Sequence, residues 1–291
     1  MHPSSHDKII NEFLKEYIEA HALTLLRMDN SGLIQTLQED KFHDIKLMYS
    51  LFKRCPGALN VLKQELKTYI VAEGQKYVRD ANITDEELVK RIIGFRERMV
   101  ELLAKSLDRD STVELTIKNS FENFINENEK TAKSLVMYLD DQFKKDFKNN
   151  TEVEISEKVD KIIQIFRYLQ DKDIFESFYK NYFAKRLLDS RRVLEDAEKE
   201  VIKKLKEECG YNFTHRLEVM FKDIKMSEQR IQDFKKSPSS QRLKIDLNVK
   251  VLTTGNWPNE SRDPSQQNQS LNMIDLVTLP PQIKECMSVY K

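Results

Sequence analysis

Cys209 and His215 stand six positions apart, a thiol and an imidazole within reach of a shared helix end. A base that takes the thiol proton is the core of nucleophilic catalysis. Such a site also needs a third group to orient the base and donors for an oxyanion. Neither is evident around these residues, so the pair is read as a helix-end thiol beside a polar helix residue. His2, His6, His21, His43 and His215 show no metal-like spacing to one another or to a cysteine. The chain carries no CxxC, no HExxH, no GxGxxG after a strand and no GxxxxGK[ST]. No catalytic group, cofactor site or metal site is therefore assigned. Lys185-Arg186 follows an aromatic-rich helix. It reads as a solvated helix end, where cations are favoured, in preference to a contact for an acidic partner. The mixed charges of Lys199–Glu208 read as a solvated face laced by i,i+4 pairs.

The segment LKIDLNVKVLTTGNWP (243–258) raises a different possibility. Leu243, Ile245, Leu247, Val249 and Val251 alternate with Lys244, Asp246, Asn248 and Lys250. That is the period of a half-buried β-strand. A lone strand leaves its backbone groups without partners. It therefore predicts a sheet completed by another part of the chain or by another protein, since strand addition to an open edge is a recognition mode. Residues 273–279 are a second candidate strand, and the polar stretch 259–272 between them reads as a mobile loop. Trp257 reads as either an interface anchor or a turn-packing core aromatic.

The elements upstream read as helix. Apolar positions recur at helical spacing over 7–27, before Asn30-Ser31-Gly32 breaks the chain. Further helices are predicted over 41–54 and 58–79. Thr84 with Glu87, Ser111 with Glu114, and Thr151 with Glu154 have capping-box spacing and open the next helices, the first two ending near Leu107 and Asn126. Residues 131–147 form another. Ile155, Val159, Ile162, Ile163, Phe166 and Leu169 then mark one helical face. Asp173 is placed to cap a helix to Leu188 with a broad apolar face of Ile174, Phe175, Phe178, Tyr182 and Phe183. A helix over 193–209 ends at Gly210, suited to a left-handed C-cap. Helices over 213–224 and 227–236 are split at Ser227, a good N-cap. Pro280-Pro281 starts a last helix.

Composition agrees with long solvated helices: 33% of the residues are charged, with only 6 Gly and 7 Pro among 291. Lys+Arg and Asp+Glu both total 48, which argues against a general nucleic-acid binder. No apolar run reaches the roughly 18 residues of a membrane span, and the N-terminus lacks the apolar core of a signal peptide. Three well-separated cysteines suit reduced thiols in the cytoplasm or nucleus.

The segments DKDIFESFYKNYFAKRLL (171–188), DAEKEVIKKLKEECGYNFTHRLEVMFKDIKMSE (196–228) and VKVLTTGNWP (249–258) resemble consecutive signature blocks of cullins. Cullins are scaffold subunits of RING-type ubiquitin ligases. MDNSGLIQTLQEDKFHDIKLMYSLFKRCPGALN (28–60) resembles a cullin repeat of the cullin-3 type, which uses BTB-domain adaptors. The resemblance implies a mainly α fold in three parts. These are the last helical cullin repeat over 1–129, a four-helix bundle over 130–237, and the start of a small α/β subdomain over 238–291. It implies a non-catalytic scaffold. Its RING-box subunit would add a strand at Leu243, Ile245, Leu247, Val249 and Val251, near Trp257, and recruit the ubiquitin-conjugating enzyme (E2). It also implies that family members extend beyond both ends of this sequence. The BTB-type adaptor would be held by an earlier repeat, and the lysine that receives a ubiquitin-like modifier would lie further on. A generic helical-repeat interaction scaffold is the alternative reading.

Overall fold

Thr84 accepts a hydrogen bond from the Glu87 N–H at 3.2 Å, and a 22-residue helix starts there. At Thr151 the capping box is reciprocal. Its N–H donates to Glu154 Oε2 at 2.8 Å, while the Glu154 N–H donates back to Thr151 Oγ1 at 3.4 Å. Each arrangement satisfies amide groups that a helix start leaves orphaned.

The structure, a computed structural model, describes residues 9–10, 12–127, 129–145, 147, 150–189, 195–238, 240, 243, 245–258 and 280–290. In chain order its helices are α1 (Lys15–Glu19, a π-helical turn), α2 (Ala22–Leu26), α3 (Leu33–Gln38), α4 (Phe42–Phe52), α5 (Pro56–Arg79), α6 (Asp85–Ser106) and α7 (Ser111–Ile125). There follow α8 (Lys130–Lys145), α9 (Glu152–Phe166), α10 (Lys172–Leu188), α11 (Glu195–Cys209), α12 (Tyr211–Lys236) and α13 (Pro281–Tyr290). Among the described residues there is no β-strand, and no helix is long and apolar enough to cross a membrane. The fold is mainly α, as the periodicity predicts. The candidate strand 273–279 and the loop 259–272 lie outside the described residues.

Several local expectations are corrected. Asp110, not Ser111, caps α7: one carboxylate oxygen accepts from the Thr112 N–H at 2.8 Å and the Val113 N–H at 3.4 Å. A carboxylate at this position also meets the positive end of the helix dipole, an advantage a hydroxyl lacks. Asp173 lies inside the first turn of α10, not before it, because that helix already begins at Lys172. The short helix α3 follows the Asn30-Ser31-Gly32 break, where 41–54 was the next helix expected. Ser227 does not split a helix. α12 runs unbroken over 26 residues and Ser227 is buried within it, its hydroxyl bonded to a distant backbone.

The chain forms two compact units: Met1–Asp141 with Asp160–Phe175, and Gln142–Val159 with Glu176–Lys291. In the first, α5 packs closely on α7. Gly74 makes this possible, since a Cβ there would run into the ring of Phe124. Phe121 is fully buried and lies 5.3 Å from Phe95, 5.1 Å from Phe124 and 5.4 Å from Tyr168, centroid to centroid. Such pairs add to area burial by about 0.5–1.5 kcal/mol each. Leu88, Ile92, Phe95, Met99, Leu102 and Leu103 give α6 the buried stripe that its 3.6-residue period requires. Tyr49 crosses to α7 and donates its hydroxyl to Asp110 at 2.7 Å.

In the second unit, α11 packs against α12 across Gly210, which has φ +81° and ψ 176°. The positive φ agrees with the sequence reading, but the extended ψ is not that of a left-handed helical C-cap; it places Gly210 in a region that is essentially glycine's alone. Val201, Leu205, Leu217 and Met220 are fully buried here. Arg186 is in this core too, 4% exposed, and contradicts both sequence readings of Lys185-Arg186 for that residue. Its guanidinium donates to both oxygens of the fully buried Glu198, from Nε at 2.6 Å and from a terminal nitrogen at 3.1 Å. It also lies 4.2 Å from the centre of the Phe143 ring. The Tyr179 hydroxyl donates to Glu198 at 3.3 Å. Burial and the Glu198 charge both push the Tyr179 pKa well up, so the phenol stays a donor. Lys185, its neighbour, is exposed as expected.

Candidate functional site

The buried stripe of α12 comprises Thr214, Leu217, Met220, Asp223, Ile224, Ser227 and Ile231. Asp223 and Ser227 are polar residues one helical turn apart on a face that should be apolar. A buried polar side chain needs a partner, and both find theirs in residues 251–257. The Val251 N–H donates to Ser227 Oγ at 2.8 Å, and the same hydroxyl donates to the Val251 carbonyl at 3.0 Å. Asp223 Oδ2 accepts from the Thr253 N–H at 2.8 Å, the Thr253 hydroxyl at 2.7 Å and the Trp257 indole N–H at 2.8 Å. Burial of Asp223 pushes its pKa up, but those three donors outweigh it and hold the carboxyl below its ordinary range.

The spacings explain why a helix can hold this segment. Four helical residues rise about 6 Å, and two extended residues span about 6.6 Å. Thr253 therefore meets Asp223 while Val251 meets Ser227, with the segment running antiparallel to α12. Further along, Lys235 pairs with Asp246 at 2.8 Å, an exposed contact of small energetic weight. Lys250 adds an anchor of another kind. Its ammonium donates to the carbonyls of Leu187 at 2.9 Å and Leu188 at 2.8 Å, the last residues of α10. Those carbonyls are orphaned by the helix end, and a cation there also meets the negative pole of the dipole.

The strand predicted over 243–252 is thus not formed among the described residues. Among the described residues no strand pairs with it, and side chains of α12 take up the backbone groups of Val251 and Thr253. Of the predicted site residues, Ile245 is 40% exposed and Val251 41%, while Leu243, Leu247 and Val249 are partly buried. Trp257 is buried against its own chain through Asp223. Asp223, Ser227 and Lys250 were missed as a group. The signal was available: Asp223 and Ser227 share the i,i+4 register of the buried α12 face.

The thiol–imidazole pair straddles a helix junction, with Cys209 closing α11 and His215 in the second turn of α12. Cys209 is partly exposed, and His215 Nδ1 is hydrogen-bonded with the Tyr211 hydroxyl one turn earlier in α12. Among the described residues no group of three or more His, Cys, Asp or Glu side chains is placed to hold a metal ion. The segment presents half-exposed aliphatic side chains at Ile245 and Val251, with fixed anchors to α12 and α10 behind them.

Comparison with known proteins shows the family to which the helical part of the chain is similar. The family profile described as the cullin alpha solenoid domain matches residues 1–230. Cullin-3 of Dictyostelium discoideum is 39% identical over 262 residues, covering 89% of this chain and 34% of that protein. Cullin-3A of Arabidopsis thaliana is 37% identical over 262 residues, covering 89% of this chain and 36% of that protein. Cullin-4 of Dictyostelium discoideum is 34% identical over 246 residues, covering 84% of this chain and 30% of that protein. The chain spans about a third of the length of these curated relatives.

Proposed function

The chain belongs to the cullin family, similar to its cullin-3 members, and from that premise we propose that it serves as a non-catalytic scaffold in a RING-type ubiquitin ligase. The observation that carries this reading is the family match over residues 1–230. A scaffold acts by holding its partners at fixed separation, so that a bound substrate and a loaded E2 meet at high effective concentration. Close helix packing such as that of α5 on α7 suits the task, because densely packed interiors deform little.

On this reading the RING-box subunit adds an extended strand beside residues 243–251 and brings the E2 with it. A BTB-type adaptor is held by a repeat outside this sequence. The subdomain division at 129 and 237, and residence in the cytoplasm or nucleus, belong to the same proposal. The exposed Ile245 and Val251 support the seat, as apolar side chains that a partner strand would cover.

Co-expression with a RING-box subunit tests this, using the chain with and without the paired substitutions Val249→Asp and Val251→Asp. Recovery of the complex with the unaltered chain, and its loss with the double variant, is expected. Equal recovery of both would remove the proposed seat. Binding that survives deletion of 243–258 would favour a generic helical-repeat scaffold instead.

A further inference from the structure

We propose that Asp223 and Ser227 are positioning residues that decide which backbone edge of residues 245–253 is offered to an added strand. The inference rests on the strand-addition reading above and deepens it.

In an extended chain the N–H and C=O of one residue point to the same side, and those of the next residue to the opposite side. Ser227 engages both backbone groups of Val251, doing the work of the facing residue in a hydrogen-bonded antiparallel pair. Asp223 engages the N–H of Thr253, two residues on. Both turn their groups towards α12. The intervening residues must then turn theirs away, which makes the open edge that of Asp246, Asn248, Lys250 and Leu252. Among the described residues the backbone groups of those four carry no hydrogen bond, as is true also of Ile245, Leu247 and Val249, so it is the bonds at Val251 and Thr253 that set which side faces α12.

The register is fixed by more than one contact. A slip of one residue would withdraw the Lys250 ammonium from the end of α10 and the Trp257 indole from Asp223. It would also exchange the faces on which all side chains stand. The partner this edge fits is an extended peptide whose alternate apolar side chains cover Ile245 and Val251, both about two-fifths exposed. The Lys250 and Asp246 charges are already engaged by α10 and Lys235, so aliphatic contact and backbone pairing are what remain to be offered.

The test is residue-resolved amide exchange in the 291-residue chain, alone and with a RING-box subunit, together with binding titrations. In the free chain Val251 and Thr253 should exchange slowly, and Asn248, Lys250 and Leu252 quickly. Adding the subunit should slow the latter three by about tenfold or more. The double variant Ser227→Ala with Asp223→Ala should keep its helical circular dichroism and bind at least about tenfold more weakly. Ser227→Thr, which retains the hydroxyl, should bind like the unaltered chain. Binding by the double variant at unaltered affinity would overturn the positioning role while leaving strand addition standing. So would slow exchange at Asn248, Lys250 and Leu252 in the free chain, which would show that another part of the same chain already occupies the edge. If the unaltered chain does not bind the subunit, the strand-addition reading falls, and this inference with it.

Discussion

Arg186 and Glu198 face one another inside the second unit, 5% and 0% exposed at their side chains, with the guanidinium nitrogen 2.6 Å from the carboxylate. Each has removed the other from water, and neither could stay charged there alone. Arg186→Met should therefore cost about 3–5 kcal/mol, because it strands a buried carboxylate. Combining it with Glu198→Leu should recover most of that loss. Urea denaturation of the two single variants and the double variant gives the coupling directly; additive losses would show that the pair is not a unit.

Trp257 is the chain's single tryptophan, so its fluorescence reports on the segment it anchors. The segment is held to α12 and α10 largely by side chain–backbone hydrogen bonds, with its aliphatic residues half exposed. Such a region opens at lower free energy than a packed core. In a urea titration the tryptophan signal should change before the helical circular dichroism does. Coincident transitions would mean that the segment unfolds only with the bundle.

Asp223 gives that attachment a pH dependence. Its folded pKa lies below its ordinary value, so its contribution is complete above the unfolded carboxylate pKa and is lost as pH falls through the folded one. Tryptophan emission should shift towards that of an exposed indole below about pH 4. Asp223→Asn should remove this acid step and weaken the attachment at neutral pH. An acid step unaltered by the substitution would assign it to other carboxylates.

Asp110 should show the same sign in the first unit. Burial raises its pKa, but bonds from Tyr49, Thr112 and Val113 overcome this and bring it down to about 2, from 3.8. Stability from this cap is thus fully present above pH 3.8 and lost as pH falls towards 2. Asp110→Asn should flatten that part of the acid-stability curve, read from thermal melts across the range. Tyr49→Phe should flatten it less, since it removes one of several donors.

Two glycines should fail for opposite reasons. At Gly210 a Cβ would have open space, but φ is +81° with ψ 176°, so Gly210→Ala should cost about 1–3 kcal/mol in backbone strain. At Gly74 the backbone is helical and alanine is the better helix former. Its Cβ would nevertheless collide with the Phe124 ring, so Gly74→Ala should be destabilising as well, by about 1–3 kcal/mol. Denaturant midpoints decide both, and a stabilised Gly74→Ala would mean that α5 and α7 separate easily.

The sequence by itself determined most of the helices, though not α3 or the continuity of α12, because most of their signals are local. Period, caps and breaks at Thr84, Thr151, Gly210 and Pro281 act within one turn, and their consequences are visible in the structure. Membership of the cullin family was likewise legible from long blocks of residues. Tertiary structure alone decided where polar groups ended up. Arg186 finds Glu198 across 12 positions, Ser227 finds Val251 across 24, and Asp223 finds Trp257 across 34. Local pattern treats an arginine at a helix end as solvated and a mid-helix serine as a cap, since those are the cheapest fates when no partner is known. The alternation over 243–251 shows the same limit. It describes a chain suited to a sheet, but whether those backbone groups meet a strand, a serine hydroxyl or a carboxylate depends on what the fold places beside them.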